Sequence, residues 1–129
     1  MRVLNSLLFF VFFAGYLPAQ QYNFRNYSVT DGLAQSQVYA MCEDVRGYLW
    51  LGTRGGGISR FDGNEFTNFT IDSIASNYVW TIATDAKGDV WIGTDEGACV
   101  FNGLSFTRVK LPGLPHKVRS IVCGKDGRT

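Results

Sequence analysis

The chain has 129 residues, of which 46% are hydrophobic, 15% aromatic and 18% charged, and its formal net charge is +1. This composition is typical of a globular protein of one domain at most. The net charge is close to zero, and lysine and arginine are scattered along the chain. The sequence therefore shows neither the clustered basic charge of a nucleic-acid-binding protein nor a polybasic membrane patch.

Residues 1–19 differ in kind from the rest of the sequence. A positive start at Met1-Arg2 precedes the apolar stretch 3–16, and Leu17-Pro18-Ala19 supplies a helix break and a small residue for cleavage. This order of features predicts a secretory signal peptide. The alternative is a retained membrane anchor, but the apolar stretch of roughly 14 residues is shorter than the ~20 needed to span the hydrocarbon core.

The remaining sequence contains two copies of one sequence repeat. Residues 38–69 and 79–109 align, and their tryptophans lie 41 residues apart; a third copy opens at Val118. The signature positions are Asp44, Gly47, Trp50 and Gly52 in the first copy and Asp85, Gly88, Trp91 and Gly93 in the second. A period of about 40 residues is typical of an array of small supersecondary units.

Each copy divides into four short apolar stretches separated by turn residues. In the first copy the stretches are residues 38–43, 48–53, 57–61 and 65–69. Short runs rich in β-branched and aromatic residues between Gly and Asp clusters predict strands joined as hairpins. Aspartate at the first and glycine at the fourth position of the first turn, Asp44 and Gly47, suits a type I turn.

The fold class that follows is all-β. The apolar runs around Trp50 and Trp91 are continuous, which indicates strands covered on both faces. Four-stranded sheets that repeat and bury both faces pack radially as propeller blades. We therefore predict a partial β-propeller of about two and a half four-stranded blades, with both tryptophans packed between blades. A solenoid is the less favoured alternative, because its coils are shorter and lack these hairpins.

The segment before the first copy resembles the last strand of a repeat. Phe24-Arg25-Asn26-Tyr27 is similar to residues 66–69 and 106–109. We predict that residues 22–28 form an outermost strand that arrives before its own blade, of the kind that latches a closed ring. The predicted organisation is a signal peptide at 1–19, a latch strand and lead-in at 20–35, repeats at 36–76 and 77–115, and the start of a truncated third repeat at 116–129.

Catalytic and metal-binding patterns are weak in this sequence. The sole histidine, His116, lies in a proline-flanked loop, and we expect it to be solvated. Cys42, Cys99 and Cys123 are odd in number and show no C-x-x-C spacing, so we expect small buried hydrophobes rather than a disulfide framework or a zinc site. We expect no enzyme activity, no cofactor and no metal.

Residues that differ between copies are better candidates for ligand contact than the residues that recur. Tyr39 and Trp80, 41 residues apart, fall near the start of the predicted innermost strands, close to the channel mouth, and Arg119 takes their place in the third copy. We predict that these three side chains face a ligand. Side chains packed between the sheets would contradict this.

The repeated residues resemble the two-component regulator propeller repeat, which occurs in the extracytoplasmic sensors of bacterial hybrid two-component systems. Matching motifs are Gly32-Leu33, Leu49-Trp50-Leu51-Gly52-Thr53, Phe61-Asp62-Gly63, Val90-Trp91-Ile92-Gly93-Thr94 and Phe101-Asn102-Gly103. The resemblance implies a non-catalytic sensor region, exported to the periplasmic or extracellular side of a bacterial inner membrane.

The resemblance also implies partners. These are the remaining blades of a longer chain, a glycan or another extracellular small ligand, and a second copy in a homodimer, with no nucleic acid bound by this segment. Family members continue into many more repeats and a histidine kinase, so we interpret the chain as the N-terminal piece of a longer sensor, through a fragment or a premature stop. A secreted or surface propeller scaffold for protein partners is the alternative, and an exported propeller lyase is the least favoured.

Overall fold

The computed structural model describes residues 21–70, 72–110, 112–113 and 116–124. The predicted signal peptide lies outside these residues. The strands are β1 (Val38–Glu43), β2 (Leu49–Thr53), β3 (Ile58–Phe61), β4 (Phe66–Phe69), β5 (Val79–Thr84), β6 (Val90–Thr94), β7 (Gly97–Phe101) and β8 (Phe106–Val109), preceded by one 3-10 turn, Val29–Asp31. Within the described ranges, no helix is long and apolar enough to cross a membrane.

The strands form two four-stranded sheets of identical topology. In blade 1, β1-β2-β3-β4 are neighbours in chain order, and in blade 2 the same holds for β5-β6-β7-β8. All pairings are antiparallel. The all-β propeller prediction is confirmed, and the first-copy strands begin at most one residue later than predicted.

One aspartate ties the first turn of blade 1 to its core. Asp44 Oδ1 accepts the backbone N–H groups of Arg46 (2.9 Å) and Tyr48 (3.0 Å). Asp44 Oδ2 accepts the indole N–H of Trp50 at 2.9 Å. Gly47 closes the turn with an N–H bond to the Asp44 carbonyl (3.0 Å) and has φ +85°, a left-handed conformation in which a side chain would be strained.

Blade 2 repeats this arrangement. Asp85 accepts the backbone N–H groups of Lys87 and Asp89 on Oδ1 and the indole N–H of Trp91 on Oδ2. Partial burial alone would raise the pKa of Asp85, but the hydrogen bonds from Trp91 and from backbone amides outweigh it and hold the pKa below its ordinary value of 3.8. The recurring aspartate is therefore a structural residue that serves both the turn and the tryptophan.

The two blades pack face to face around Trp50. This side chain is fully buried, and its ring lies 5.1 Å from Phe101 and 6.3 Å from Phe106, both in blade 2. Gly52 allows the close approach, because a Cβ there would come within 3.0 Å of Val79 Cβ and 3.2 Å of Ile82 Cδ1. The core is thus shared between neighbouring blades, as in a propeller.

The prediction that Trp91 is buried between blades is only partly right, since its side chain is half-buried. Residues 116–124 lie beside β6, with Val118 next to Gly93, and they form no strand although a third repeat was predicted to start there. Val118 does donate its N–H to the Thr94 carbonyl at 2.8 Å. Without a full neighbouring sheet among the described residues, Trp91 lacks the counterparts of the phenylalanines that enclose Trp50.

The predicted outermost strand at residues 22–28 is not observed, and this prediction is corrected. A strand requires a hydrogen-bonded neighbour, and the third strand of each sheet is already paired with the sheet's own fourth strand. Residues 22–28 belong to neither of the two sheets and lie beside blade 1. Tyr27 packs there against Phe61 (4.9 Å) and Phe66 (5.7 Å).

Candidate functional site: the aromatic and cationic rim

Both innermost strands contain a β-bulge, and in each the bulged residue is aromatic. In blade 1 the pairing skips from Val38 to Ala40, which leaves Tyr39 outside the regular ladder. In blade 2 the pairing skips from Val79 to Thr81, which leaves Trp80 in the same position. A bulge leaves one residue unpaired and changes the direction of its side chain. Because of the bulges, these two side chains do not follow the regular alternation between the two faces of the sheet.

The two released rings stack on each other across the blade boundary. Their centroids are 5.1 Å apart and their planes differ by 19°. This geometry lies in the favourable range for aromatic pairs. Tyr39 remains 43% exposed, and Trp80 is half-buried. The two rings thus form a partly solvent-accessible aromatic surface near the start of β1 and β5, which is called the rim below.

Two cations extend this stack on the side of the third copy. Lys117 Nζ lies 4.4 Å and Arg119 Cζ 5.5 Å from the centre of the Trp80 ring. Both distances are within the ~6 Å at which a cation is attracted to an aromatic face. Arg119 is exposed. The rim therefore passes from a neutral aromatic end to a cationic end.

Asp95 fixes the centre of the rim. Its Oδ1 accepts the indole N–H of Trp80 at 2.7 Å and lies 2.9 Å from Lys117 Nζ. The hydrogen bond from Lys117, followed by that from Trp80, holds the pKa of Asp95 below its ordinary value, with the charges of Lys117 and Arg119 acting in the same direction. Trp80 is thereby held in one orientation between Tyr39 and the cations.

The structure brings together the three residues that the sequence singled out, Tyr39, Trp80 and Arg119. Tyr39 and Trp80 pack against each other where the two sheets meet, Arg119 lies over the Trp80 ring, and their contact with a ligand stays a prediction. The sequence reasoning missed Lys117 and Asp95. The sequence could have identified them because both positions differ between copies. Asp95 occupies the position of an arginine in the first copy, and Lys117 occupies the position of a tyrosine in the second. Together these five residues are called the rim cluster below.

Other chemistry is sparse in the described part of the chain. His116 is exposed, and no group of three or more metal-ligating side chains occurs among the described residues. Cys42, Cys99 and Cys123 are free thiols. Only Cys99 is fully buried, and its burial raises its pKa to about 11, whereas Cys42 and Cys123 are half-buried. The rim cluster is therefore the strongest candidate site.

Comparison with known proteins gives three findings. The two-component regulator propeller family model matches residues 32–55 and 73–96, which contain all eight signature positions. A protein of Formosa agariphila described as "Histidine kinase P4" is 43% identical over 63 residues, which are 47% of this chain and 4% of that protein. The extracellular domain of a hybrid two component system from B. thetaiotaomicron has a similar fold, with a TM-score of 0.65 at 24% identity over 76% of this chain and 15% of that chain. The chain thus spans a small part of either relative.

Proposed function

We propose that this chain, two segments of which match the two-component regulator propeller family model, is the extracytoplasmic sensor region of a hybrid two-component histidine kinase. The kinase named among its relatives matches over a small part of its length, so catalysis would belong to other parts of such a protein. The region proposed for this chain is non-catalytic. Its task would be to bind a ligand and pass on the binding event.

We propose that the ligand binds at the rim cluster. The carrying observation is that Tyr39 and Trp80 leave the β-ladder at bulges and stack with a cationic end, rather than packing in the core. An exposed aromatic ring offers an apolar face, and Arg119 offers hydrogen-bond donors suited to hydroxyl or carboxylate oxygens. This combination suits a glycan or another extracellular small ligand. The remaining blades of a longer chain and a second copy of the protein are further proposed partners.

Export is part of the proposal. Residues 1–19 would direct the chain across the inner membrane and be removed. Expression with its own N-terminus in a Gram-negative host, followed by mass spectrometry of the periplasmic fraction, should give a mature N-terminus near residue 20. Recovery of the intact chain from the cytoplasm would contradict this part of the proposal.

The binding proposal is tested with the exported chain and a panel of soluble neutral and acidic oligosaccharides. Binding is measured by calorimetry and by tryptophan fluorescence. Tyr39→Ala and Arg119→Ala should each weaken binding of the responsive sugar at least about tenfold, which corresponds to ~1.4 kcal/mol. Leu104→Ala is the matched control, because Leu104 is 92% exposed in the β7–β8 turn and away from the rim cluster.

Two outcomes would contradict the proposal. Equal affinities in both rim variants and in the control would place binding elsewhere. Absence of binding across the panel, combined with co-purification of a protein from the periplasm by the unmodified chain but not by the rim variants, would favour a scaffold for protein partners instead.

A further inference from the structure

Arg119 is an exposed cation at the edge of the rim. Its guanidinium carbon lies 5.5 Å from the centre of the Trp80 ring. Contact with the indole restricts the side chain, while the guanidinium keeps its planar fork of N–H donors. Within the described part of the chain, Arg119 forms no ion pair. Arg119 is therefore partly oriented, and its donors are available to a ligand.

Asp95 does not pair with Arg119, because its carboxylate is already engaged. Its Oδ1 accepts the indole N–H of Trp80 at 2.7 Å and lies 2.9 Å from Lys117 Nζ. Glu96, the next residue in the turn between β6 and β7, is exposed and forms no ion pair with the residues that the structure describes. The charge of Arg119 is thus not compensated by a direct contact.

A second exposed arginine lies at the same end of the sheets, in blade 1. Arg54 directly follows β2, as Asp95 directly follows β6, so the two residues occupy equivalent positions. The Arg54 backbone N–H donates to the Gln37 carbonyl, just before β1, at 3.0 Å. Arg54 also forms a β-bridge with Tyr78, whose carbonyl accepts the Asp95 N–H at 3.2 Å. These contacts place Arg54 beside the rim cluster.

The immediate surroundings of Arg54 are neutral. The next three residues, 55–57, are glycines, and Gln35 donates its side-chain amide to the Arg54 carbonyl at 3.1 Å. The Arg54 side chain forms no ion pair with any described residue. In blade 2, the equivalent position holds the carboxylate of Asp95, which Lys117 neutralises. The rim therefore has an uncompensated arginine in blade 1 as well as one in the third copy.

We propose that the rim selects ligands in which a ring carries an anionic group, either a carboxylate or a sulfate. This inference rests on the proposed function, because it specifies what the rim cluster binds. The exposed Tyr39 ring offers an apolar face to the ligand ring. Arg119 and Arg54 bind the anion from opposite sides of the rim through charge-assisted hydrogen bonds. A neutral ligand of the same shape would gain the ring contact alone and bind more weakly.

The test uses two matched pairs of oligosaccharides that differ in charge. Trigalacturonate is compared with its methyl ester, and a sulfated galactose trisaccharide is compared with its desulfated form. Binding to the exported chain is measured by calorimetry. The acidic member of at least one pair should bind at least about tenfold more tightly, which corresponds to ~1.4 kcal/mol. The pair that shows this preference distinguishes a carboxylate ligand from a sulfate ligand.

The outcomes separate this inference from the proposed function. Neutral members that bind as tightly as the acidic ones, and lose binding in Tyr39→Ala, would overturn the charge selectivity and leave binding at the rim intact. Absence of binding for all four oligosaccharides would overturn both.

Charge-removing variants locate the anion. Arg119→Gln and Arg54→Gln should each reduce the preference for the acidic member at least about threefold, because each removes one cation beside the ligand. Affinity for the neutral member should change less than about twofold, which also shows that the variant is folded. Lys87→Gln is the matched control, since Lys87 is exposed in the turn after β5, at the far end of that strand from Trp80. A preference that is unchanged in both arginine variants would refute the proposal.

Salt dependence tests the electrostatic cause. Raising the sodium chloride concentration from about 20 to about 200 mM should weaken binding of the acidic member at least about threefold and leave the neutral member unchanged, because salt screens exposed charges. Arg119→Lys keeps the charge but not the planar fork. This variant should keep the salt dependence and bind the acidic member more weakly than the unmodified chain. Binding of the acidic member that does not respond to salt would overturn the proposal.

Discussion

Asp44→Asn should destabilise the protein because a single carboxylate serves three donors. One oxygen holds the backbone N–H groups of Arg46 and Tyr48, and the other holds the indole of Trp50. The Asp44 side chain is fully buried. An amide has only one acceptor oxygen, so it can satisfy either the turn or the indole, and its NH2 group then faces a donor. Because Trp50 is fully buried, its indole N–H cannot hydrogen-bond to water instead.

The magnitude follows from the cost of an unmade bond. A buried donor left without an acceptor costs about 1–3 kcal/mol, and we expect about 2–3 kcal/mol in total because the lost bonds are to a charged group. In a Trp50→Phe background the indole donor is gone, and the amide can serve the turn alone. There Asp44→Asn should cost about 1 kcal/mol. The expected coupling energy between the two positions is thus about 1–2 kcal/mol.

Urea unfolding followed by far-UV circular dichroism measures all four variants of this cycle without depending on tryptophan emission. With an m value of about 2 kcal/mol/M, Asp44→Asn should lower the midpoint by about 1 M. Asp85→Asn is an internal comparison and should cost less, since Trp91 is half-buried. Equal costs of Asp44→Asn in the Trp50 and Trp50→Phe backgrounds would refute the reasoning.

Three further predictions concern packing, thiol reactivity and pH. Gly52→Ala should destabilise the protein by about 1–3 kcal/mol, because its Cβ would collide with Val79 in the other blade; an unchanged urea midpoint would show that the blades can separate freely. At pH 8 Cys99 should react with a thiol reagent far more slowly than Cys42, because burial raises its pKa to about 11; equal labelling rates, read by peptide mass spectrometry, would contradict the buried position. The urea midpoint should be constant from pH 7 to 5 and fall below about pH 4. The lowered pKa of Asp95 means that its contribution to stability is complete above the pKa of the unfolded state and is lost as pH falls through the pKa of the folded state. Asp95→Asn should therefore make the urea midpoint fall less steeply below about pH 4. An unchanged fall would count against the Lys117 contact.

The strands were predictable because local signals repeat and agree with one another. Aspartate and glycine mark the same turn in both copies, and apolar runs of five or six residues lie between them. Those signals depend on neighbours in sequence, so they place the strands of blade 1 within one residue. The aspartate–indole bond could have been inferred as well, since the spacing from Asp44 to Trp50 and from Asp85 to Trp91 is six in both copies.

The remaining features depend on neighbours that a local pattern does not contain. Residues 22–28 have the sequence of a strand, but they join neither of the two described sheets. Trp91 has the sequence of a buried residue, yet its burial requires the face of another blade. The rim cluster was predictable in part, because Tyr39 and Trp80 recur at one offset. The bulges that bring their rings together were not predictable, since a shift of pairing register leaves no mark in residue type.

The bulges separate two demands that usually compete within a strand. A residue inside the ladder must suit both its cross-strand partner and the sheet face, so its replacement disturbs packing. Positions 39 and 80 stand outside that pairing, and the chain uses tyrosine and tryptophan at them. The side chain at these positions can therefore change from blade to blade while the architecture of the sheets stays constant.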